Sequence, residues 1–128
     1  MKFVHVATRT KDLDAAIAFY GLLGMKLTDK RELTRNQATL AFISSAEGDF
    51  AIELVYNWGK DMAYAGGERF GHFAFVVDDV DETYRHLVAA GAAPLRPPAL
   101  LQGVGPSKIA FIGDPDGNQI ELIQHNAA

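Results

Sequence analysis

Four side chains in this sequence are of types that bind metals and move protons, and their spacing is matched. Glu53 follows His5 by 48 positions, and Glu121 follows His72 by 49. Each carboxylate lies between large apolar residues, in Ala51-Ile52-Glu53-Leu54-Val55 and in Gln119-Ile120-Glu121-Leu122-Ile123. If these runs are strands, the isoleucine and leucine point to one face and the glutamate to the other, beside one smaller or polar neighbour in each case, which suits a cavity better than a packed core. A carboxylate in such a place is costly unless it is paired, hydrogen-bonded or bound to a metal. Two imidazoles and two carboxylates make an N2O2 set suited to an octahedral divalent ion with positions left for water, so that Ni²⁺, Co²⁺, Fe²⁺, Mn²⁺ and Zn²⁺ all qualify. A single strand histidine or glutamate is ordinarily a packed or solvent-facing residue. The duplication is what singles out His5, Glu53, His72 and Glu121.

The elements that must position them are themselves duplicated. Residues 10–24 overlay residues 77–91 at a shift of 67, setting Asp12 on Asp79, Leu13 on Val80, Asp14 on Asp81 and Gly24 on Gly91. Both segments read as short amphipathic helices, with an aspartate to cap the first turn and a glycine to close the last. Gly21 weakens the end of the first one. The same shift sets Phe3-Val4-His5-Val6-Ala7 on Phe70-Gly71-His72-Phe73-Ala74, two strand-like runs with histidine at the third position. The closing Ile-Glu-Leu strands match at a shift of 68, because the turn Asp116-Gly117-Asn118 is one residue longer than its counterpart at Asp49. Further strands are expected at 25–33, 38–44, 93–96 and 108–113. Residues 94–106, with four prolines, read as an irregular loop carrying one short strand at its start, and a loop of that length suggests binding or a lid. The expected fold is therefore α+β: two tandem βαβββ modules forming a curved mixed sheet. One domain, 1–128, holds module one at 1–59, a linker at 60–68 and module two at 69–126. A half of about 60 residues cannot cover its own sheet face, so the halves are expected to pack together or against halves of another chain.

Composition narrows the class. The chain has 128 residues, 48% hydrophobic and 22% charged, with a formal net charge of −4. That length supports one packed core, and the composition argues against disorder. The mildly acidic balance, without a basic run, argues against nucleic acid or anionic membrane surfaces as partners. There is no cysteine, which excludes disulfides, zinc–thiolate sites and thiol nucleophiles. The charged opening MKFVHVATRTKDLD carries no secretory apolar region, and no apolar run is long enough to span a bilayer; a soluble cytoplasmic protein is expected.

The residues carry a resemblance. Ile52-Glu53-Leu54-Val55-Tyr56-Asn57-Trp58-Gly59 resembles the IELxYNWG signature of the bacterial glyoxalase I (lactoylglutathione lyase) family. Gly71-His72 before an apolar strand is similar to that family's later motifs, as are His5, Phe19-Tyr20 with Leu23-Gly24-Met25, and Asp114-Pro115-Asp116-Gly117-Asn118-Gln119-Ile120-Glu121-Leu122. The last motif is shared across the wider vicinal-oxygen-chelate superfamily, whereas ELxYNWG is more specific. The likeness extends over nearly the whole chain. It implies the glyoxalase fold, a homodimer, and His5, Glu53, His72 and Glu121 as metal ligands, with His5 and Glu53 of one chain meeting His72 and Glu121 of the other. It also implies nickel or cobalt in preference to zinc. Arg9 and Asn57 match positions that hold the glutathione part of the substrate. The implied reaction isomerises the methylglyoxal–glutathione hemithioacetal to S-lactoylglutathione. Glu121 would be the base; Glu53 would be a ligand and the partner for the opposite hemithioacetal enantiomer.

The sequence departs from the family at one place. Relatives carry a basic residue in the glycine-rich loop before the penultimate strand. This chain reads Leu101-Gln102-Gly103-Val104-Gly105-Pro106-Ser107, with Lys108 only at its end. Lys108 and Arg96 are the candidate replacements, and a thiol other than glutathione is the alternative. Two broader alternatives stay open: another metal enzyme of the superfamily, such as an acyl-CoA epimerase or a ring-cleaving dioxygenase, and a metal-free small-molecule binding protein. The full quartet counts against the second, and a fourth ligand counts against the two-His, one-carboxylate set of a dioxygenase. His86, on a helix, and His125, near the end, are expected to face solvent.

Overall fold

A computed structural model of the chain describes residues 1–46, 50–103 and 105–127. Asp49 and Val104, assigned above to a turn and to the glycine-rich loop, lie outside the described residues. The chain divides into two compact units, Met1–Ala65 and Gly66–Ala128. In the first unit, β1 (His5–Arg9), α1 (Leu13–Leu22), β2 (Lys26–Leu33), β3 (Ala38–Ser44) and β4 (Ala51–Asn57) follow in order, with a 3-10 turn at Thr34–Asn36. In the second, β5 (His72–Val76), α2 (Val80–Ala89), β6 (Ala93–Leu100), β7 (Lys108–Gly113) and β8 (Gln119–Gln124) repeat the order. Each unit builds one four-stranded mixed sheet, ordered β1-β4-β3-β2 in the first and β5-β8-β7-β6 in the second. The two-module α+β architecture expected from the repeat is thus observed, as two sheets.

Local chemistry explains why both helices begin and end where they do. The Asp12 carboxylate accepts from the Ala15 amide at 3.0 Å, and the Asp79 carboxylate from the Glu82 amide at 2.9 Å, so each satisfies a donor that the first helical turn leaves open. At the other end Gly24 (φ +84°) and Gly91 (φ +108°) take the left-handed conformation. The next residues, Met25 and Ala92, then donate back to the Tyr20 and Leu87 carbonyls, both at 3.0 Å. Gly21 does not end α1, which continues to Leu22.

Each helix covers one face of its own sheet. Leu13, Ala16, Phe19 and Tyr20 of α1 are buried, as are Ala41, Ile43, Ile52 and Leu54 from β3 and β4. Val80 and Leu87 of α2 are buried in the second unit with Ala110, Ile112, Ile120 and Leu122. Because side chains alternate along a strand, this burial turns His5, Phe42 and Glu53 to the opposite, open face of the first sheet, and His72, Phe111 and Glu121 to that of the second. The face therefore carries groups that the helix side could not bury without partners.

One expectation is corrected. The strand expected at 93–96 is longer than read: β6 runs from Ala93 to Leu100 through Pro97 and Pro98, so the loop part of 94–106 begins only at Leu101. It is the outermost strand of its sheet, where a missing N–H deprives no neighbour of a bond, and its register against β7 breaks between Pro94 and Arg96 and between Arg96 and Ala99.

Candidate functional site

The closing strands deliver the carboxylates and the opening strands deliver the imidazoles. β1 runs parallel to β4 with Ala7 opposite Glu53, and β5 runs parallel to β8 with Ala74 opposite Glu121. The small alanine leaves room, so the histidine two residues earlier reaches diagonally to the glutamate. His5 Nε2 lies 2.8 Å from Glu53 Oε2, and His72 Nε2 lies 2.6 Å from Glu121 Oε2. Each glutamate side chain is only 15% exposed, while the imidazoles are 38% and 40% exposed. Each withdrawn carboxylate is therefore partnered by a group still open to solvent. The rings are also fixed edge-on against aromatics: His5 against Phe42 with centroids 5.5 Å apart, and His72 against Phe111 at 5.4 Å. Phe42 is the cross-strand neighbour of Glu53 and Phe111 that of Glu121, so the same four-strand row is built twice. The turn before β8 holds its register through Asp114. Its buried carboxylate accepts from the Asp116 and Asn118 amides and from Asn118 Nδ2, all at 2.8–2.9 Å. This aspartate sets the strand on which Glu121 sits.

The row ends in an arginine, and here the two units differ. The Arg31 guanidinium carbon lies 5.8 Å from the Phe42 ring centroid, but its Nε is bound to Asp29 Oδ2 at 2.7 Å. The Arg96 guanidinium carbon lies 5.6 Å from the Phe111 centroid and, among the described residues, forms no ion pair. Arg96 also lines a cleft of about 350 Å³ with Leu95, Phe111 and Gln119. Gln119 shares the Glu121 face, so the cleft adjoins the His72–Glu121 pair. Lys108, the other candidate replacement for a loop cation, is ion-paired with Asp81 on α2. Of the two, Arg96 is the one left facing a cavity.

Arg9 and Asn57 come onto the open face of the first unit with His5 and Glu53, since they follow them by even numbers of residues along β1 and β4. Arg9 is opposite Val55 and exposed; Asn57 is half-buried two residues further on. The motif's other residues hold this end of β4. The Trp58 amide donates to the Gln37 carbonyl at 2.8 Å, and its indole Nε1 donates to Thr39 Oγ1 at 2.9 Å. The Tyr56 side chain points to the helix face and donates to Asp61 Oδ1 at 2.9 Å. That bond to a carboxylate, with some desolvation, raises the Tyr56 pKa above its ordinary 10.0. Tyr56, Asp61, Lys11, Lys30 and Thr39 line a separate cleft of about 490 Å³ on the helix side of this sheet, away from His5 and Glu53. Two residues in the stretch read as a linker join the site end instead: Tyr64 donates to Asn57 Oδ1 at 2.9 Å, and Lys60 Nζ sits 4.0 Å from the Tyr64 ring centroid. The only sequence signal for them was their nearness to the Tyr-Asn-Trp-Gly turn. His86 and His125 are exposed, as expected.

The donor set fits a divalent ion. Two ligands about 2.1 Å from one ion and at right angles to each other stand about 3 Å apart. The two N–O separations, 2.8 and 2.6 Å, need open by only a few tenths of an ångström. Each unit supplies two donors: among the described residues, no group of three or more His, Asp or Glu side chains is arranged to hold a metal.

Comparison with known proteins gives the family. Residues 2–122 match the Glyoxalase/Bleomycin resistance protein/Dioxygenase superfamily. The chain is 42% identical to a probable lactoylglutathione lyase of Vibrio cholerae over 130 aligned positions, covering 99% of this chain and 93% of that one. It is 43% identical to a probable chloroplastic lactoylglutathione lyase of Arabidopsis thaliana, covering 96% of this chain but 35% of the relative, so it spans about a third of that protein's length. Among solved structures, glyoxalase I from Zea mays superposes with a TM-score of 0.88 at 39% identity, covering 97% of this chain and 44% of that one. With the repeated βαβββ fold, these likenesses show that the chain belongs to the lactoylglutathione lyase (glyoxalase I) family of the Glyoxalase/Bleomycin resistance protein/Dioxygenase superfamily.

Proposed function

We propose that this protein isomerises the hemithioacetal of methylglyoxal and glutathione to S-lactoylglutathione in the cytoplasm, as a homodimer that uses nickel or cobalt in preference to zinc. The observation that carries this reading is the His–Glu pair built at the same register in both units, two donors in each. His5 and Glu53 of one chain with His72 and Glu121 of a second would hold one ion through two nitrogens and two oxygens. When bound, the cation supplies Lewis-acid stabilisation of the negative charge that develops on the substrate oxygens.

The chain's own groups do the rest. Glu121 takes the proton from C1 of the hemithioacetal. The electron pair of the C1–H bond forms the C1–C2 double bond of an enediolate as the C2 carbonyl pair moves onto its oxygen. The carboxylic acid then returns the proton to C2, and the C1 hydroxyl proton passes to the C2 oxygen as C1 becomes the thioester carbonyl. Glu53 faces the opposite enantiomer. Arg9 and Asn57 hold the glutathione portion, and Arg96 takes the place of the missing loop cation by gripping a carboxylate of the thiol. Its cleft beside His72 and Glu121, and the engagement of Lys108 by Asp81, support this choice.

The test strips the purified protein with EDTA, restores Ni²⁺, Co²⁺ or Zn²⁺ separately, and follows thioester formation from methylglyoxal and glutathione. Turnover is expected with each metal, fastest with Ni²⁺ or Co²⁺. Metal binding without turnover would overturn the reaction. A second reading keeps the site and changes the thiol. It is favoured by the absence of any basic side chain between Leu101 and Ser107. Turnover that appears only when another thiol replaces glutathione selects it.

A further inference from the structure

Asn57 has a side chain with two unlike ends, and its use depends on which end faces outward. Its Nδ2 donates and its Oδ1 accepts, so one orientation attracts a carboxylate and the other repels it. In this chain the choice is made by the segment that follows. The Lys60 amide donates to the Asn57 carbonyl at 3.0 Å, closing a four-residue turn whose third residue, Gly59, has φ +82°. That conformation favours glycine and folds the chain back toward β4. Tyr64 then reaches Asn57 and donates to Oδ1 at 2.9 Å, which leaves the two Nδ2 hydrogens for another partner. Lys60 Nζ lies 4.0 Å from the Tyr64 ring centroid, where a cation is attracted by the ring face and makes the phenol a stronger donor. Asn57 and Tyr64 are both half-buried, so this bond is partly shielded from competing water.

We propose that Tyr64 is a positioning residue for substrate binding: it locks the Asn57 amide with its donors presented to a carboxylate or carbonyl of the thiol co-substrate, and Lys60 adds a positive charge on the same ring. This rests on the reading of Asn57 given above. It makes the 60–64 segment part of the specificity apparatus, although it lies outside the regular elements and carries no metal-type ligand.

The test measures the Kd of S-methylglutathione by calorimetry on the metal-loaded protein, with KM and kcat measured in parallel, for Tyr64→Phe, Asn57→Ala, the double variant and Lys60→Met. Tyr64→Phe keeps the ring under Lys60 and removes only the donor. It is expected to raise Kd and KM about fivefold while leaving kcat within about twofold, the loss typical of one hydrogen bond. In the Asn57→Ala background the same change is expected to add less than about twofold, because the two act as a unit. Lys60→Met is expected to raise Kd about threefold at low salt and less at high salt. Equal effects of Tyr64→Phe in both backgrounds, or no effect in either, would overturn the proposal. Asn57→Ala without effect on Kd would overturn both the proposal and the role given to Asn57. Asn57→Ala weakened and Tyr64→Phe unchanged would overturn the proposal alone. If Tyr64→Phe lowers the melting temperature, Tyr64→His, which restores a donor on a ring, decides between the two: recovered binding supports positioning, and none overturns it.

Discussion

The two units repeat one row of side chains and finish it differently. In the first, His5, Glu53, Phe42 and Arg31 cross the open face, and Asp29 neutralises the arginine. In the second, His72, Glu121, Phe111 and Arg96 make the same crossing, and the arginine has a cleft in place of an acid. The first unit instead carries Asn57 and Arg9 on the open face toward the ends of β4 and β1, with Tyr64 donating to the Asn57 amide oxygen. The His–Glu pair has nearly the same geometry in both units, and the groups around it differ. The ends of the closing strands differ in the same way. Tyr56 bonds to Asp61 in the following turn, whereas Gln124, 68 positions later, turns its Oε1 back to the Val80 amide and caps α2.

The largest effect should separate the two glutamates. Glu121→Gln is expected to lower kcat by about 10²–10⁴ on the enantiomer whose C1 proton it takes, with metal still bound, the range for removing a general base. Glu53→Gln is expected to cost less on that enantiomer, because Glu121 is intact. Progress curves on the mixed substrate, which separate the two enantiomers as fast and slow phases, with metal content checked in each variant, will show the order; the reverse order would exchange the roles of the two units. Next come the arginines. Arg96→Met is expected to raise KM for the hemithioacetal about tenfold or more, the loss of a charge-assisted bond, while Arg31→Met stays within about twofold because Asp29 already holds it. Equal KM values for the two variants would dissolve the distinction.

Metal should stabilise both units. Saturation at 100 times Kd adds about 2.7 kcal/mol, which for a chain of this size corresponds to a rise of roughly 10 °C in melting temperature. Thermal melts with EDTA and with excess Ni²⁺ measure it, and coincident melts would remove the pairs from consideration as a site. The smallest effect concerns Tyr56. Its pKa is raised in the folded protein, so the Asp61 bond contributes to stability fully below the ordinary tyrosine pKa of 10.0 and is lost as pH rises through the folded value. Asp61→Asn is expected to move the tyrosinate titration, followed by ultraviolet absorbance, back toward lower pH without changing activity. The matching position of the second unit holds Gln124, which does not ionise.

Much of this was legible in the sequence, for reasons that are local. Asp12 and Asp79 announce helix starts because a short acceptor there satisfies backbone donors within three residues; Gly24 and Gly91 announce ends because few other residues take a positive φ. Ile52-Glu53-Leu54 and Ile120-Glu121-Leu122 place their carboxylates on the open face by alternation alone. What was not legible depends on distant partners. Pro97 and Pro98 read as breakers because nothing nearby says that β6 is the outermost strand. Lys108 and Arg96 could not be separated until Asp81, 27 positions before the lysine, was found against it. Tyr64 looked like linker because only the folded turn brings it back to Asn57.

The position of β6 and β2 has a consequence for the chain before it is fully folded. An exposed strand edge is a template on which another chain can add a strand and begin to aggregate. β6 bears three prolines, which cannot donate to such a ladder, and β2 bears five charged residues in eight, which resist being stacked beside a copy of themselves. Each sheet thus has one outer border that discourages foreign strands, by missing donors in one unit and by charged side chains that pairing would desolvate in the other. The opposite borders, β1 and β5, are only five residues long, so each offers a foreign strand a shorter template than β2 or β6 would.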